Sequence, residues 1–176
     1  MADLNTKLFL KINGLVGKNK FLDSFGRAGA EWVIVAMVGW YVASDLVDRL
    51  PSKRFAFWPI AFFAAFWTVG WLVNLLIGMS VRERRPSTVL KDVKLLFQPL
   101  TNWKSFPSDH VMSAFLLFFM AISFQLPGSS ARLVMALWVA WGRIYAGVHY
   151  PLDILGGISV AAFCALLSSY IFITLL

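Results

Sequence analysis

The residues able to do chemistry stand in three short polar clusters of an otherwise apolar chain. The densest is Arg143-Ile-Tyr-Ala-Gly-Val-His149-Tyr-Pro-Leu-Asp153. Ionisable groups are expensive to bury in a bilayer, so within apolar sequence they are functional candidates. Pro151 suits the first turn of a helix, so Arg143 is expected to end one helix and Asp153 to begin the next. His149 then lies at the junction. A carboxylate four residues on can accept a proton from one ring nitrogen and aim the other outward, which is the orienting half of a nucleophile arrangement. The second cluster, Ser105-Phe-Pro-Ser-Asp-His110, holds the chain's other histidine. Pro107 and Ser108 read as a helix entry, whose free backbone N–H groups favour an anion. The third cluster, Arg82-Glu-Arg-Arg-Pro86, follows a long apolar run.

Brought together, these clusters would place Arg85, Arg143, Ser108, His110, His149 and Asp153 in one pocket, with Arg82 and Arg84 as further phosphate-binding candidates. Guanidinium forks match phosphate oxygens bidentately. Two histidines supply a nucleophile and a proton donor near neutral pH. Carboxylates on this side are few (Glu83, Asp92, Asp109, Asp153), poor provision for Mg²⁺, and two isolated histidines are a weak zinc site. The expected chemistry is metal-independent phosphoryl transfer through a phosphohistidine, with arginines carrying the charge a metal would otherwise carry and no cofactor. Taken singly, each residue has an ordinary use. Arg143 would serve as a paired structural arginine, His110 as a helix cap, His149 as packing, and Arg82, Arg84 and Arg85 as juxtamembrane anchors. The case rests on their sharing one place.

The elements that must position them are apolar helices. Of 176 residues 59% are hydrophobic, against roughly 45–50% in a soluble domain, and mean hydropathy is +0.71. The fold class expected is all-α: a polytopic membrane helix bundle, one domain over 1–176. Leu4 to Val16 alternates Lys7 and Lys11 with apolar positions at helical spacing and reads as an amphipathic helix in the interface. Five spans follow: about Ala28–Val47, Phe55–Met79, Ser108–Gln125, Arg132–Gly147 and Leu152–Leu176. Leu50-Pro-Ser-Lys-Arg54 and Leu126-Pro-Gly-Ser-Ser130 are turns. Residues 80–107 form the long polar connection, and such a loop between close spans is usually functional. With alternating crossings, the three clusters fall on the same membrane face. Asn74 is a polar exception within the second span, suited to an interhelical hydrogen bond.

The net charge of +7 lies in residues flanking the apolar runs, so anionic lipid or phosphate is the expected partner rather than nucleic acid. No obligate protein partner is evident. Cys164 stands alone, which excludes an intrachain disulfide. The start Met1-Ala-Asp-Leu-Asn lacks the apolar core of a signal peptide, and none is expected.

At these residues the sequence resembles the type-2 phosphatidic acid phosphatase superfamily. Its pattern is Lys-x6-Arg-Pro, then Pro-Ser-Gly-His, then Ser-Arg-x5-His-x3-Asp. The third motif is matched from Arg143 through His149 to Asp153, with Gly142 in place of the serine. The second reads Pro107-Ser108-Asp109-His110, with aspartate for glycine. The first keeps Arg85-Pro86 but has Gly78 where the lysine belongs. The resemblance implies His149 as nucleophile, Asp153 as its orienter, His110 as the acid for the leaving group, and Arg85, Ser108 and Arg143 as phosphate ligands. It leaves Arg82 or Arg84 to substitute for the lysine. Pro-Ser-Asp-His, the absent lysine, Asn74 and Glu83 are most similar to the bacitracin-resistance type of undecaprenyl-diphosphate phosphatase. That similarity implies release of phosphate from undecaprenyl diphosphate, the lipid carrier of the cell wall. Phosphatidic acid, phosphatidylglycerophosphate or another lipid phosphate are the alternatives, and a non-enzymatic lipid-binding membrane protein is the alternative of another class. The resembled enzymes are multi-pass plasma-membrane proteins with an extracytoplasmic active site. Against that face stands the distribution of Lys and Arg, twelve on the pocket side and four on the other, which the positive-inside rule would turn the other way.

Overall fold

The computed structural model describes residues 3–49, 58–99 and 101–175. The expected turn at 50–54 and the first residues of the second span lie outside the described residues. Among the described residues every regular element is helical.

Helix α1 (Leu4–Asn13) is capped by Asp3, whose side chain accepts from the Thr6 N–H, and ends at Gly14, short of the expected Val16. It does not stand apart from the bundle: Phe9 is buried against Tyr150, ring centroids 5.3 Å apart, and Asn13 is buried at its end. Helix α2 (Lys20–Arg27) passes through a π-helical stretch, Ala28–Trp32, into α3 (Val33–Arg49). The helical path through the expected first span therefore begins earlier than the apolar run suggests and is bent by 51°. Helix α4 covers Trp58–Val81 and α5 is a single turn, Pro86–Val89, inside the long connection. Helices α6 (Asp109–Ser123), α7 (Ser129–Tyr145) and α8 (Pro151–Leu175) complete the chain.

Helix α6 is apolar on every side, and such a helix belongs inside. It forms the centre: Val111, Met112, Leu116, Leu117 and Met120 have no exposed surface. Helices α8 and α7 pack closely along it, and α3 and α4 flank it. Outward-facing Val35, Leu72, Leu76, Phe163 and Leu166 leave the bundle with an apolar exterior. By length and hydropathy two helices suffice to cross a membrane, those starting at Trp58 and Pro151, each with mean hydropathy 2.0, and the bent α2–α3 pair would make a third. At 15 residues α6 is apolar but short, about 22 Å at 1.5 Å per residue.

Helix α7 meets the π-helical stretch backbone to backbone at Gly142. A Cβ there would lie 2.7 Å from the Ala30 nitrogen and 2.9 Å from the Gly26 carbonyl oxygen. The serine of the family pattern has no room in this chain, which accounts for that departure. At the far end of the bundle Arg132 is fully buried. Its guanidinium lies 4.2 Å above the Trp40 ring and donates to the Pro127 carbonyl and to Ser44 Oγ, joining α3 to α7.

Candidate active site

The turn from α7 to α8 carries His149, and the start of α8 fixes it. Tyr150 stands just before Pro151, and Asp153 reaches back to accept the Tyr150 N–H at 2.8 Å. This is one half of a capping box at a helix entry, with the carboxylate satisfying a backbone donor that the helix cannot. The same oxygen, Oδ2, accepts the Ser105 hydroxyl at 2.5 Å and lies 3.3 Å from His149 Nδ1. The Ser108 N–H donates to the Asp153 carbonyl at 3.1 Å, so the second and third clusters are joined through their helix starts.

His149 Nε2 faces two guanidinium groups, Arg85 Nη1 at 3.3 Å and Arg143 Nη2 at 3.4 Å. Guanidinium donates only, so Nε2 must be the acceptor nitrogen and Nδ1 carries the proton towards Asp153. Burial, and then the two arginines, hold the His149 pKa well below the ordinary 6.5, leaving the imidazole neutral with its lone pair at Nε2. Arg85 is itself held by the Thr101 carbonyl at 2.7 Å and the Val148 carbonyl at 2.9 Å. Arg143 donates to the Ala30 carbonyl of the π-helical stretch at 3.0 Å.

A cavity of about 480 Å³ opens over this cluster. It is lined by Arg85, Arg143, His149 and His110, and also by Asp109 and Glu31. Ser108 lies buried at the base of α6, and its hydroxyl, like Arg143 Nε, finds no partner among the described residues. The structure thus brings Arg85, Ser108, His110, Arg143, His149 and Asp153 together. It does not bring Arg82 and Arg84 to this cavity. They line an adjoining one of about 680 Å³ with Met79, Thr88, Asn102 and Trp103. A further, mostly apolar cavity of about 460 Å³ is lined by Ile34 and Val38 of α3, Phe63, Trp67 and Trp71 of α4, and the start of α6, sharing Asp109 and His110 with the first.

Sequence reasoning assigned no role to Ser105, Glu31, Lys104 or Asn13. Asn13 Nδ2 donates to the Lys94 and Tyr145 carbonyls at 2.8 and 2.9 Å, and its Oδ1 accepts the Lys94 N–H at 2.9 Å, stitching the N-terminal helix to the long loop and to α7. Only the presence of Ser105 in the second cluster gave a signal for it.

A family model described as the PAP2 superfamily matches residues 57–175, which spans all three clusters. The chain belongs to the PAP2 superfamily. Within this family it is similar to the undecaprenyl-diphosphatase BcrC of Bacillus subtilis (strain 168), 30% identical over 163 residues, covering 90% of this chain and 79% of that one. It is also similar to a decaprenylphosphoryl-5-phosphoribose phosphatase of Mycobacterium tuberculosis (strain ATCC 25618 / H37Rv), 31% identical, covering 85% and 76%. Among solved structures, Aquifex aeolicus LpxE shares the fold with a TM-score of 0.70 over 95% of both chains at 23% identity. The chain is a PAP2-type phosphatase, and its histidine–arginine cavity is the candidate active site of a PAP2 enzyme.

Proposed function

We propose that this PAP2 protein is a metal-independent membrane lipid phosphatase that converts undecaprenyl diphosphate to undecaprenyl phosphate and inorganic phosphate through a phosphohistidine. The observation that carries the mechanism is His149 Nε2, 3.3–3.4 Å from two guanidinium groups that can only donate to it, with Nδ1 3.3 Å from Asp153. The Nε2 lone pair forms a bond to the terminal phosphorus while the bond from phosphorus to the bridging oxygen breaks. His110 gives that oxygen its proton. Arg85, Arg143 and the Ser108 hydroxyl hold the phosphoryl oxygens, in keeping with the unmet donors at Ser108 and Arg143. Water then attacks phosphorus, His110 takes its proton, and the phosphorus–nitrogen bond breaks to free inorganic phosphate.

The apolar cavity that meets the polar one at Asp109 and His110 supports a substrate with a hydrocarbon tail. The similarity to BcrC supports the prenyl diphosphate among lipid phosphates. The reading includes five crossings (α2–α3, α4, α6, α7, α8), α1 lying in the interface with Leu4, Leu8 and Lys7 exposed, and a pocket on the extracytoplasmic face of the plasma membrane. Arg82 and Arg84 serve the approach of anionic head groups from the adjoining cavity. The test is phosphate release by the purified protein in detergent with EDTA, offered undecaprenyl diphosphate, phosphatidic acid and phosphatidylglycerophosphate side by side. Preferential turnover of the prenyl diphosphate, lost in His149→Ala, is expected. Preference for a glycerolipid overturns the substrate and keeps the mechanism, whereas no release by a folded protein favours the lipid-binding alternative.

A further inference from the structure

Two departures from the family pattern meet in space. Position 78 has glycine for lysine, and position 109 has aspartate for glycine. A Cβ on Gly78 would lie 2.5 Å from Lys104 Cδ and 3.0 Å from its Cγ, so the stem of Lys104 runs through the volume a side chain at 78 would take. Lys104 is buried, and its ammonium sits 2.9 Å from Asp109 Oδ1. Asn74, one turn before Gly78 on α4, donates to the same oxygen at 2.9 Å. Asp109 lines both the polar cavity and the apolar one, next to the histidine expected to protonate the leaving group. A carboxylate facing the cavity repels an arriving phosphate. A buried ammonium without a counter-charge is equally costly. Each of the two departures makes the other tolerable.

We propose that Lys104 is a positioning residue of this phosphatase, packed into the notch at Gly78, where its ammonium neutralises Asp109 and holds that carboxylate off the substrate's phosphates. It acts through Asp109, which with Asn74 also anchors the first turn of α6, and so it sets the charge His110 and the substrate experience. The proposal rests on the phosphatase reading, and the experiment separates the two.

Phosphate release from undecaprenyl diphosphate is measured with the full chain in detergent for the wild type, Lys104→Met, Lys104→Met/Asp109→Asn and His149→Ala, alongside thermal melting. Methionine fills the notch and removes the charge. Lys104→Met is expected to lose at least about 20-fold in kcat/KM, mainly through KM and more at low salt, because an unscreened carboxylate repels most there. Adding Asp109→Asn removes both charges and is expected to bring kcat/KM back to within about fivefold of wild type. A packing role alone would leave KM and its salt dependence unmoved and would give no recovery. Activity of Lys104→Met equal to wild type overturns the proposal, as does a double variant that stays as impaired as the single one. Should Lys104→Met fail to fold, recovery of folding together with near-wild-type KM in the double variant supports the proposal, because only the loss of the Asp109 charge separates the two variants, and a double variant that also fails to fold or has KM raised more than about 20-fold overturns it. An inactive wild type sinks the phosphatase reading together with this one.

Discussion

His149 can act as a nucleophile only while its Nε2 lone pair is free, and burial of the ring with the two arginines beside it favours that state. Burial of the ring, and then the arginines' charge, disfavour protonation, so the folded-state pKa is lowered. The imidazole is then neutral at every pH above that lowered value. The acid limb of kcat/KM, which reports the free enzyme, is expected to have its midpoint below 6.5. Replacing Arg143 with glutamine removes one opposing charge and is expected to move the midpoint upward while lowering the rate. A midpoint that moves down or stays put in Arg143→Gln contradicts the electrostatic account. Asp153→Asn keeps the size of the side chain but can no longer accept both the Ser105 hydroxyl and the imidazole N–H as an anion. A fall of at least about 100-fold in kcat is expected from the misdirected ring, measured on protein that still binds detergent micelles as a folded monodisperse species.

At the scale of elements, the parts legible in the sequence were those with local spacing. Arg143, His149 and Asp153 lie in one stretch across a helix–turn–helix, so residue order alone suggests their meeting, while the approach of the Pro107-Ser108 helix start follows only from counting alternating crossings. Asn74 declared itself as the polar exception of its span and does bond across to α6. What could not be read is what depends on partners distant in sequence. The partners of Asn13 lie 81 and 132 positions away, and no periodicity announces them. The bend between α2 and α3 is not legible because Lys20–Arg27 is too polar to resemble part of an apolar run, although it continues into apolar α3 through the π-helical stretch. The five expected spans were read from apolar runs, but α6 is apolar because it is enclosed by other helices, which is a different cause from contact with lipid. Two stability predictions belong at this scale. Gly142→Ser forces a side chain against the backbone of residues 26–30 and is expected to destabilise by about 1–3 kcal/mol, seen as a lowered melting temperature. Asn13→Ala removes three buried or half-buried hydrogen bonds and is expected to cost about 1–3 kcal/mol, with faster hydrogen exchange in residues 90–97. An unchanged exchange rate there would mean that α1 does not hold the loop.

For the whole molecule, the proposed extracytoplasmic pocket fixes which end of the bundle a reagent outside the cell can reach. Ser130 is exposed at the end of the bundle opposite the pocket, at the start of α7. A cysteine there, with Cys164 replaced, is expected to escape an impermeant thiol reagent in intact cells if the pocket faces outward. Labelling would turn the pocket towards the cytoplasm, as the excess of Lys and Arg on its side favours.

The single oxygen Asp153 Oδ2 closes the first turn of α8, ties down the loop through Ser105 and points His149. A chain whose last helix has not formed loses the acceptor of the Ser105 hydroxyl and the carboxylate facing His149 Nδ1 together. On the proposed mechanism such a half-built molecule is silent rather than indiscriminate, with no aimed imidazole to strip phosphate from the other lipids around it.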